Sequence, residues 1–376
     1  MKKPLSQFLG DLARTYAPTW MRTFARKLRK RIKPPPYVAY EIPPASEQQR
    51  ADPAYVARLE AERRTFDNDE FVHQLPQIFH YWSNKYLRPM FEAYGFSHPD
   101  DFFQLYLRKS AERIGTEAPK FLSIGAGNCD TEVRVALLMK AAGLKNFTIE
   151  CLELSPPMLA RGRADAVQNG VLAHLIFTQA DFNRWQPSHL YDGVMANQSL
   201  HHVLSLEHLF DAVKAGLRSK AFFITSDIIG RNGHMRWPQA LTTVQQFWQE
   251  LPKSHRYNLQ LRRQENQFQD WDCSTEGFEG IRAQDVLPEL IKRFEFELFI
   301  PFGNVIDVFI DRSFGHHLDP SKSSDREFID RLHAFDEQAF ANKTLTPTHL
   351  VAVMALEKPA NAKYSRGLQP KDCVRN

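Results

Sequence analysis

The sequence predicts an α/β protein with a mostly parallel sheet, a helical N-terminal extension and helical insertions. From Lys120 onward, short apolar runs alternate with helical segments, as a parallel sheet with crossover helices requires. The first run ends in a glycine turn, Gly125 to Gly127. A chain of 376 residues that is 43% hydrophobic and 12% aromatic also has ample apolar surface for a core. We therefore expect one core with extensions, or two closely joined units.

Seven apolar runs are the predicted strands, and we expect a helix after each of the first five. The predicted strands are 121–124, 148–154, 175–178, 191–196, 221–227, 294–302 and 349–357. Helical patterning is also present in segments 46–64, 67–114, 237–251 and 278–294.

These patterns divide the chain into four parts. We expect a basic amphipathic segment and Pro-rich linker at 1–45, a helical lead-in or lid at 46–116, the core at 117–358, and a flexible tail at 359–376. The core is interrupted by insertions at about 231–293 and 303–346.

The charge pattern bears on possible partners. The chain carries 48 basic and 44 acidic residues, a net charge of +4, and much of the excess lies in the first thirty-odd positions. A nearly balanced remainder without a DNA- or RNA-binding signature argues against a nucleic-acid partner. The basic segment 8–33 suits peripheral contact with an anionic membrane surface or packing on its own domain.

The four cysteines are scattered, at Cys129, Cys151, Cys273 and Cys373, without a CxxC pair or a Cys/His cluster. We expect reduced thiols. No apolar run is long enough for a membrane span, and the N-terminus lacks the apolar segment of a signal peptide, so we expect a cytoplasmic protein. The sequence does not predict an oligomeric state.

The glycine turn is the most informative motif. Gly125, Ala126, Gly127 and Asn128 follow the first strand and precede a helix, which lets a nucleotide-bearing ligand approach backbone N–H groups. A dinucleotide motif would continue with a third glycine where Asp130 stands. A carboxylate there repels pyrophosphate but tolerates the sulfonium of S-adenosylmethionine, so the turn favours that cofactor over NAD.

Polar residues at the other strand tips complete the predicted cofactor site. Glu153 ends the second strand, where a carboxylate accepts hydrogen bonds from ribose hydroxyls; Leu154 and Met158 follow it. Asp181 and Phe182 follow the third strand, where they suit the adenine amine and ring. Asn197 ends the fourth strand beside the same cleft.

This set of motifs resembles the class I, Rossmann-like S-adenosylmethionine-dependent methyltransferases, especially the small-molecule group with a Leu-His-His-Val sequence after strand four. The resemblance spans roughly 120–227 and extends less surely to 358. It implies a seven-stranded sheet with an antiparallel last strand. It also places Gly125 and Gly127 at the methionine portion, Glu153 at the ribose, Asp181 and Phe182 at the adenine, and Asn197 beside the transferred methyl group.

The chain departs from that family at two positions. Family members have an acidic residue where Ser123 stands and a third glycine where Cys129 stands. We hypothesise that Asp130 or Glu132 compensates for the missing acid by contacting the cofactor's amino group.

Methyl transfer from a sulfonium needs positioning and, for a hydroxyl acceptor, a base. His201, His202 and His234 are the candidates, while a carboxylate acceptor needs none. His201 and His202 can equally be structural. Because adjacent residues point different ways and no third ligand is apparent, we predict no metal.

Two polar stretches are candidates for the acceptor side, 225–237 and 271–282, although either can be a surface turn. The function predicted is methyl transfer to a small-molecule or a lipid- or sugar-linked acceptor. The alternative is a catalytically silent binding or regulatory protein, which the absent acid at Ser123 favours. An NAD-dependent oxidoreductase is disfavoured by Asp130 and by the lack of a Tyr-x-x-x-Lys pair.

Overall fold

A computed structural model describes residues 53–67, 75–275 and 277–375. The predicted basic helix at 8–33 and its linker lie outside these residues. No helix among the described residues combines the length and apolar character needed to cross a bilayer.

The centre of the fold is one twisted sheet with the order β10-β8-β9-β5-β4-β1-β2-β3. Its strands are β1 Lys120–Ile124, β2 Thr148–Glu153, β3 Leu175–Gln179, β4 Gly193–Asn197, β5 Phe223–Ile228, β8 Glu295–Phe302, β9 His349–Ala355 and β10 Lys363–Tyr364. A separate hairpin pairs β6 Tyr257–Asn258 with β7 Arg263–Gln264. All seven predicted strands are present, with bounds shifted by at most two residues.

The direction of the strands agrees with the prediction. The five central strands are parallel, and β9 runs antiparallel to both β5 and β8. The prediction differs at the edge, where β10 adds an eighth strand parallel to β8.

Helices cover both the sheet and its carboxyl edge. They are α1 Pro53–Asp67, α2 Gln77–Trp82, α3 Arg88–Glu92, α4 Pro99–Ile114, α5 Asp130–Ala141, α6 Pro156–Gln168, α7 Leu206–Gly216, α8 Pro238–Glu250, α9 Ala283–Ile291, α10 Asp307–Ile310 and α11 Ser323–Ala341. A π-helical turn, Ser83–Leu87, joins α2 to α3. The expectation of a helix after every central strand was wrong for β3, which is followed by a turn at 181–184.

The C-terminal segment 359–376, expected to be a flexible tail, instead packs on the core as far as it is described. Leu368 and Cys373 are buried, and the guanidinium of Arg366 forms a two-pronged ion pair with Glu337 on α11. The segment therefore covers the β8 edge of the sheet, where β10 pairs.

Candidate active site

The turn after β1 has the backbone conformation that its glycines allow. Gly125 and Gly127 have φ values of 69° and 56°, in the left-handed region. A Cβ on Gly125 would lie 2.4 Å from the Cβ of Ser199, so glycine is also required here for packing against the turn after β4. Gly127 donates its N–H to Glu153 Oε2 at 2.8 Å.

The predicted ribose carboxylate is held by the backbone. Glu153 is 8% exposed, and its Oε1 accepts the N–H of Ser155 at 2.9 Å. Burial raises the pKa of Glu153, and the two backbone donors partly oppose that rise. Each carboxylate oxygen has a further lone pair, so Glu153 remains able to accept ribose hydroxyls.

The predicted adenine carboxylate is contacted by the N-terminal helix α1. The hydroxyl of Tyr55 donates to Asp181 Oδ2 at 2.6 Å, and Asp181 Oδ1 accepts the N–H of Asn183 at 3.0 Å. The Arg184 guanidinium lies over the Tyr55 ring, 4.8 Å from its centroid. The edge of β3 is thus covered by α1.

Glu132, one of the two residues hypothesised to compensate for the missing acid, lies beside Ser123. Ser123 Oγ donates to Glu132 Oε1 at 2.6 Å, so a carboxyl group lies beside the position of the family's acid. Burial raises the pKa of Glu132 to about 7. The contact to a cofactor amino group stays a prediction.

The other predicted cofactor residues have protein partners of their own. Asn197 donates to Thr131 Oγ1 at 3.2 Å, and Asn128 Oδ1 accepts from Arg161 Nε at 2.8 Å. Cys129, at the family's third glycine, has a φ of 56°, a conformation that glycine adopts more readily. The remaining predicted contacts, Ala126, Leu154, Met158 and Phe182, line the same edge of the sheet by sequence position.

The turn after β4 is organised by a carboxylate at the end of β5. Because β4 pairs with β5, Asn197 opposite Ser226, the tip of β5 lies directly below this turn. Asp227, fully buried, accepts the N–H groups of Ser199 and Leu200 at 2.9 and 2.7 Å. It also lies 2.7 Å from Nδ1 of His201, so that ring turns its Nε2 toward Glu279.

All three predicted histidines converge on one carboxylate, Glu279. Its Oε1 lies 2.5 Å from His234 Nε2 and 3.4 Å from His201 Nε2, and its Oε2 lies 3.5 Å from His202 Nε2. The His202 Nδ1 lies 2.7 Å from Glu62 on α1. The cluster of His201, His202, His234 and Glu279, with Asp227 and Glu62 behind it, is called the imidazole–carboxylate cluster below.

The close approach of two glycines brings Glu279 to His234. Gly233 donates its N–H to the Gly280 carbonyl at 2.9 Å, and both have positive φ. A Cβ on Gly280 would lie 3.2 Å from His234 Cε1, and a Cβ on Gly233 would lie 1.9 Å from Asp272 Oδ1. The stretches 225–237 and 271–282, both singled out in the sequence, therefore form one surface.

The pKa of each group in the cluster depends on the balance between its burial and the charges of its neighbours. Burial lowers the pKa of His201, but Asp227 and Glu279 outweigh it and raise that pKa to about 10. Burial also acts to lower the pKa of His202, but Glu279 outweighs it, so that the pKa is raised. Burial dominates at His234, whose pKa is lowered. The pKa of Glu279 lies well below its usual range, since the imidazoles outweigh its own burial.

The prediction of no metal rested on two premises that the structure does not support. His201 and His202 both lie near Glu279 although they are adjacent in the sequence, and His234 adds a further imidazole from a distant position. His201, His234 and Glu279 have ligand atoms all within 4.8 Å of one another.

Sequence reasoning missed four residues of this site as individuals: Tyr55, Glu62, Asp227 and Glu279. The last two stand in stretches that were marked as polar. Tyr55 and Glu62 are spaced seven residues apart on α1, so they share a helix face with Arg58 between them. That spacing is the signal in the sequence that could have identified both residues.

Comparison with known proteins identifies the domain. Residues 122–225 match the family model described as a methyltransferase domain. Together with the sheet order and the glycine turn, the match shows a class I, S-adenosylmethionine-dependent methyltransferase domain. The predicted family, fold, enzyme class and cofactor are confirmed at this level. None of the curated protein sequences compared with the chain matches it.

Among solved structures, the chain is similar to a geranyl diphosphate C-methyltransferase from Streptomyces coelicolor A3(2). The TM-score is 0.42 at 9% identity, covering 80% of this chain and 98% of that one. It is also similar to the O-methyltransferase of a trans-AT PKS multienzyme from Brevibacillus brevis, with a TM-score of 0.41 at 11% identity, covering 81% and 88%. Likenesses this distant do not bear on the acceptor.

Proposed function

We propose that this chain transfers the methyl group of S-adenosylmethionine to a hydroxyl oxygen of a small-molecule, or a lipid- or sugar-linked, acceptor. The observation that supports it is the imidazole–carboxylate cluster at the carboxyl ends of β4 and β5. A ligand on a sheet of this kind binds along that edge. The position of the cluster at that edge supports a role in binding and deprotonating the acceptor.

The reaction requires the acceptor's proton to leave. The oxygen, once deprotonated at the cluster, attacks the methyl carbon; the C–S bond breaks, and its electron pair leaves with the thioether of S-adenosylhomocysteine. Positioning supplies the remainder of the catalysis, because the sulfonium is already a strong electrophile. A carboxylate acceptor would need no such base.

The cofactor half of the proposal is tested by isothermal titration with S-adenosylhomocysteine. The double variant Glu153→Gln and Asp181→Asn loses two charged acceptors, so its affinity is expected to fall roughly 100-fold. Glu117→Gln, at an exposed glutamate, serves as the matched control. Equal affinity in wild type and double variant would refute the predicted cofactor contacts, and no binding in wild type would refute the proposed function.

The acceptor half is tested with methyl-labelled S-adenosylmethionine and panels of phenols, alcohols, carboxylic acids and amines. Transfer to phenols or alcohols is expected, and His234→Gln, which removes the imidazole whose pKa is lowered, is expected to lower kcat at least 100-fold while S-adenosylhomocysteine still binds. Transfer confined to amines, or a His234→Gln enzyme as fast as wild type, would contradict the assignment to oxygen.

A further inference from the structure

We infer that His201, His234 and Glu279 bind one divalent transition-metal ion, which holds the acceptor's hydroxyl oxygen at its open position. The inference rests on the proposed function and extends it, since it names the group in the cluster that lowers the pKa of the acceptor's hydroxyl. Its geometric basis is separate from the cofactor site and stands on the three side chains themselves.

The distances suit an ion of this class. Ligands about 2.0–2.1 Å from a tetrahedral ion lie roughly 3.3 Å from one another. The distance between His201 Nε2 and Glu279 Oε1 is 3.4 Å. The distance between His234 Nε2 and the same oxygen is 2.5 Å, so it must lengthen by less than about 1 Å to hold an ion. The widening exchanges a hydrogen bond for two metal bonds.

The donor types define the class of ion. Two imidazole nitrogens and one carboxylate oxygen suit Zn²⁺, Fe²⁺, Co²⁺ or Mn²⁺ better than Mg²⁺ or Ca²⁺, which prefer oxygen ligands. Three protein ligands with an open fourth position are the arrangement of catalytic zinc sites. Glu279 keeps 37% side-chain exposure, so an ion and an acceptor can reach this side.

The carboxylate behind His201 is what a metal-bound histidine needs, whereas the buried Nδ1 of His234 has no hydrogen-bond partner. A ligating imidazole donates its other N–H to a carboxylate, which fixes the tautomer. Asp227 Oδ1 lies 2.7 Å from Nδ1 of His201, and this buried carboxylate leaves Nε2 free of a proton when the ring is neutral. His202 is backed by Glu62 in the same way, at 2.7 Å, beside the proposed ion.

Charge and backbone point in the same direction. When the three imidazoles are neutral, Asp227, Glu279 and Glu62 carry three negative charges, of which one divalent cation would offset two. His234 has a φ of 55°, which is unusual for a non-glycine residue, and the packing of Gly233 against Gly280 holds it there.

The chemistry balances without a further reactant. A hydroxyl bound to the ion has a lowered pKa, so its proton passes to solvent and the alkoxide or phenolate stays on the ion. The oxygen's electron pair then forms the O–CH₃ bond while the C–S bond breaks, and S-adenosylhomocysteine leaves with that electron pair.

The test uses the full chain after dialysis against EDTA. We expect titration with Zn²⁺ and Co²⁺ to give one ion per chain, with the intense visible absorption of tetrahedral Co²⁺. His234→Ala and Glu279→Ala are expected to weaken ion binding at least 100-fold, and Asp227→Asn 10- to 100-fold. His316→Ala, an exposed histidine on the 3-10 turn Gly315–His317, is the matched control and should bind as wild type does.

Two readouts separate failure of the ion from failure of the methyltransferase. The His234→Ala variant should keep a cooperative thermal unfolding transition and the wild-type affinity for S-adenosylhomocysteine, and this result would show that it folds. If wild type binds no ion, or if His234→Ala binds it equally well, the inference is refuted while methyl transfer can still stand. If the ion binds but S-adenosylhomocysteine does not, the metal site holds and the proposed function fails.

Discussion

Single residues in this protein do their work through backbone conformation as much as through side chains. Gly233 and Gly280 show this most clearly, because their close approach brings His234 to Glu279. Neither glycine can carry a Cβ without meeting Asp272 or His234. The predicted site is therefore as sensitive to these glycines as to its titratable groups.

Gly233→Ala tests that dependence. The added methyl group would overlap Asp272 Oδ1. Compared with a control glycine-to-alanine variant, Gly233→Ala is therefore expected to lose several-fold more ion affinity and about 2 kcal/mol more of its free energy of unfolding. Gly170→Ala is the matched control, since Gly170 has a φ of +67° and nothing within 4 Å of an added Cβ. Ion titration and urea unfolding measure both. Equal losses in the two variants would contradict the argument.

Among the elements, helix α1 lies across the carboxyl edge of the sheet and contacts three of the segments there. It contacts the β3 tip through Tyr55, the turn after β4 through Glu62, and the loop 272–280 through Arg58, whose guanidinium donates to two backbone carbonyls, Ser274 at 2.9 Å and Gly277 at 2.8 Å. The predicted lid thus contacts both the predicted adenine carboxylate and the imidazole–carboxylate cluster.

Arg58→Ala should weaken the attachment of α1 to the loop 272–280. The loss of two charge-assisted hydrogen bonds is expected to raise amide hydrogen exchange across α1 and to speed S-adenosylhomocysteine release about tenfold. Arg64→Ala, at an exposed arginine of the same helix, is the control. Stopped-flow displacement and exchange mass spectrometry are the measurements. If Arg58→Ala leaves both unchanged, α1 is a fixed part of the core and not a lid.

On the scale of the whole molecule, two buried carboxyls link stability to pH. Burial raises the pKa of Glu132 from 4.5 to about 7, and burial together with Asp307 raises that of Asp336 from 3.8 to about 8. The folded state keeps these protons where the unfolded chain has lost them. Stability is therefore expected to fall as pH rises from about 5 to 8.

Glu132→Gln isolates one of these groups. Glutamine has no proton to lose, so between pH 5 and pH 8 the variant is expected to lose about 2–3 kcal/mol less stability than wild type does. Urea unfolding at four pH values in that range measures the difference. The exposed Glu117→Gln should follow the wild-type slope. A Glu132→Gln slope equal to that of wild type would show that Glu132 is ionised in the folded protein.

Much of the fold was predictable from local pattern. The alternation of apolar runs with helical segments placed all seven strands, because each run must be buried on both faces of a parallel sheet. The errors lie where a segment's neighbours decide its state. The turn after β3 and the packed C-terminal segment, with β10 and Cys373 against the core, depend on contacts that no local period encodes.

What the sequence by itself determined is the cofactor side: the glycine turn at 125–127, the carboxylates at strand tips, and the family they indicate all follow from short stretches of chain. Only the tertiary structure decided the imidazole–carboxylate cluster, the proposed acceptor side, where Glu62, His201 and Glu279 meet from positions far apart. Their convergence depends on which loops close over the sheet, and a loop's path is set by packing rather than by its composition.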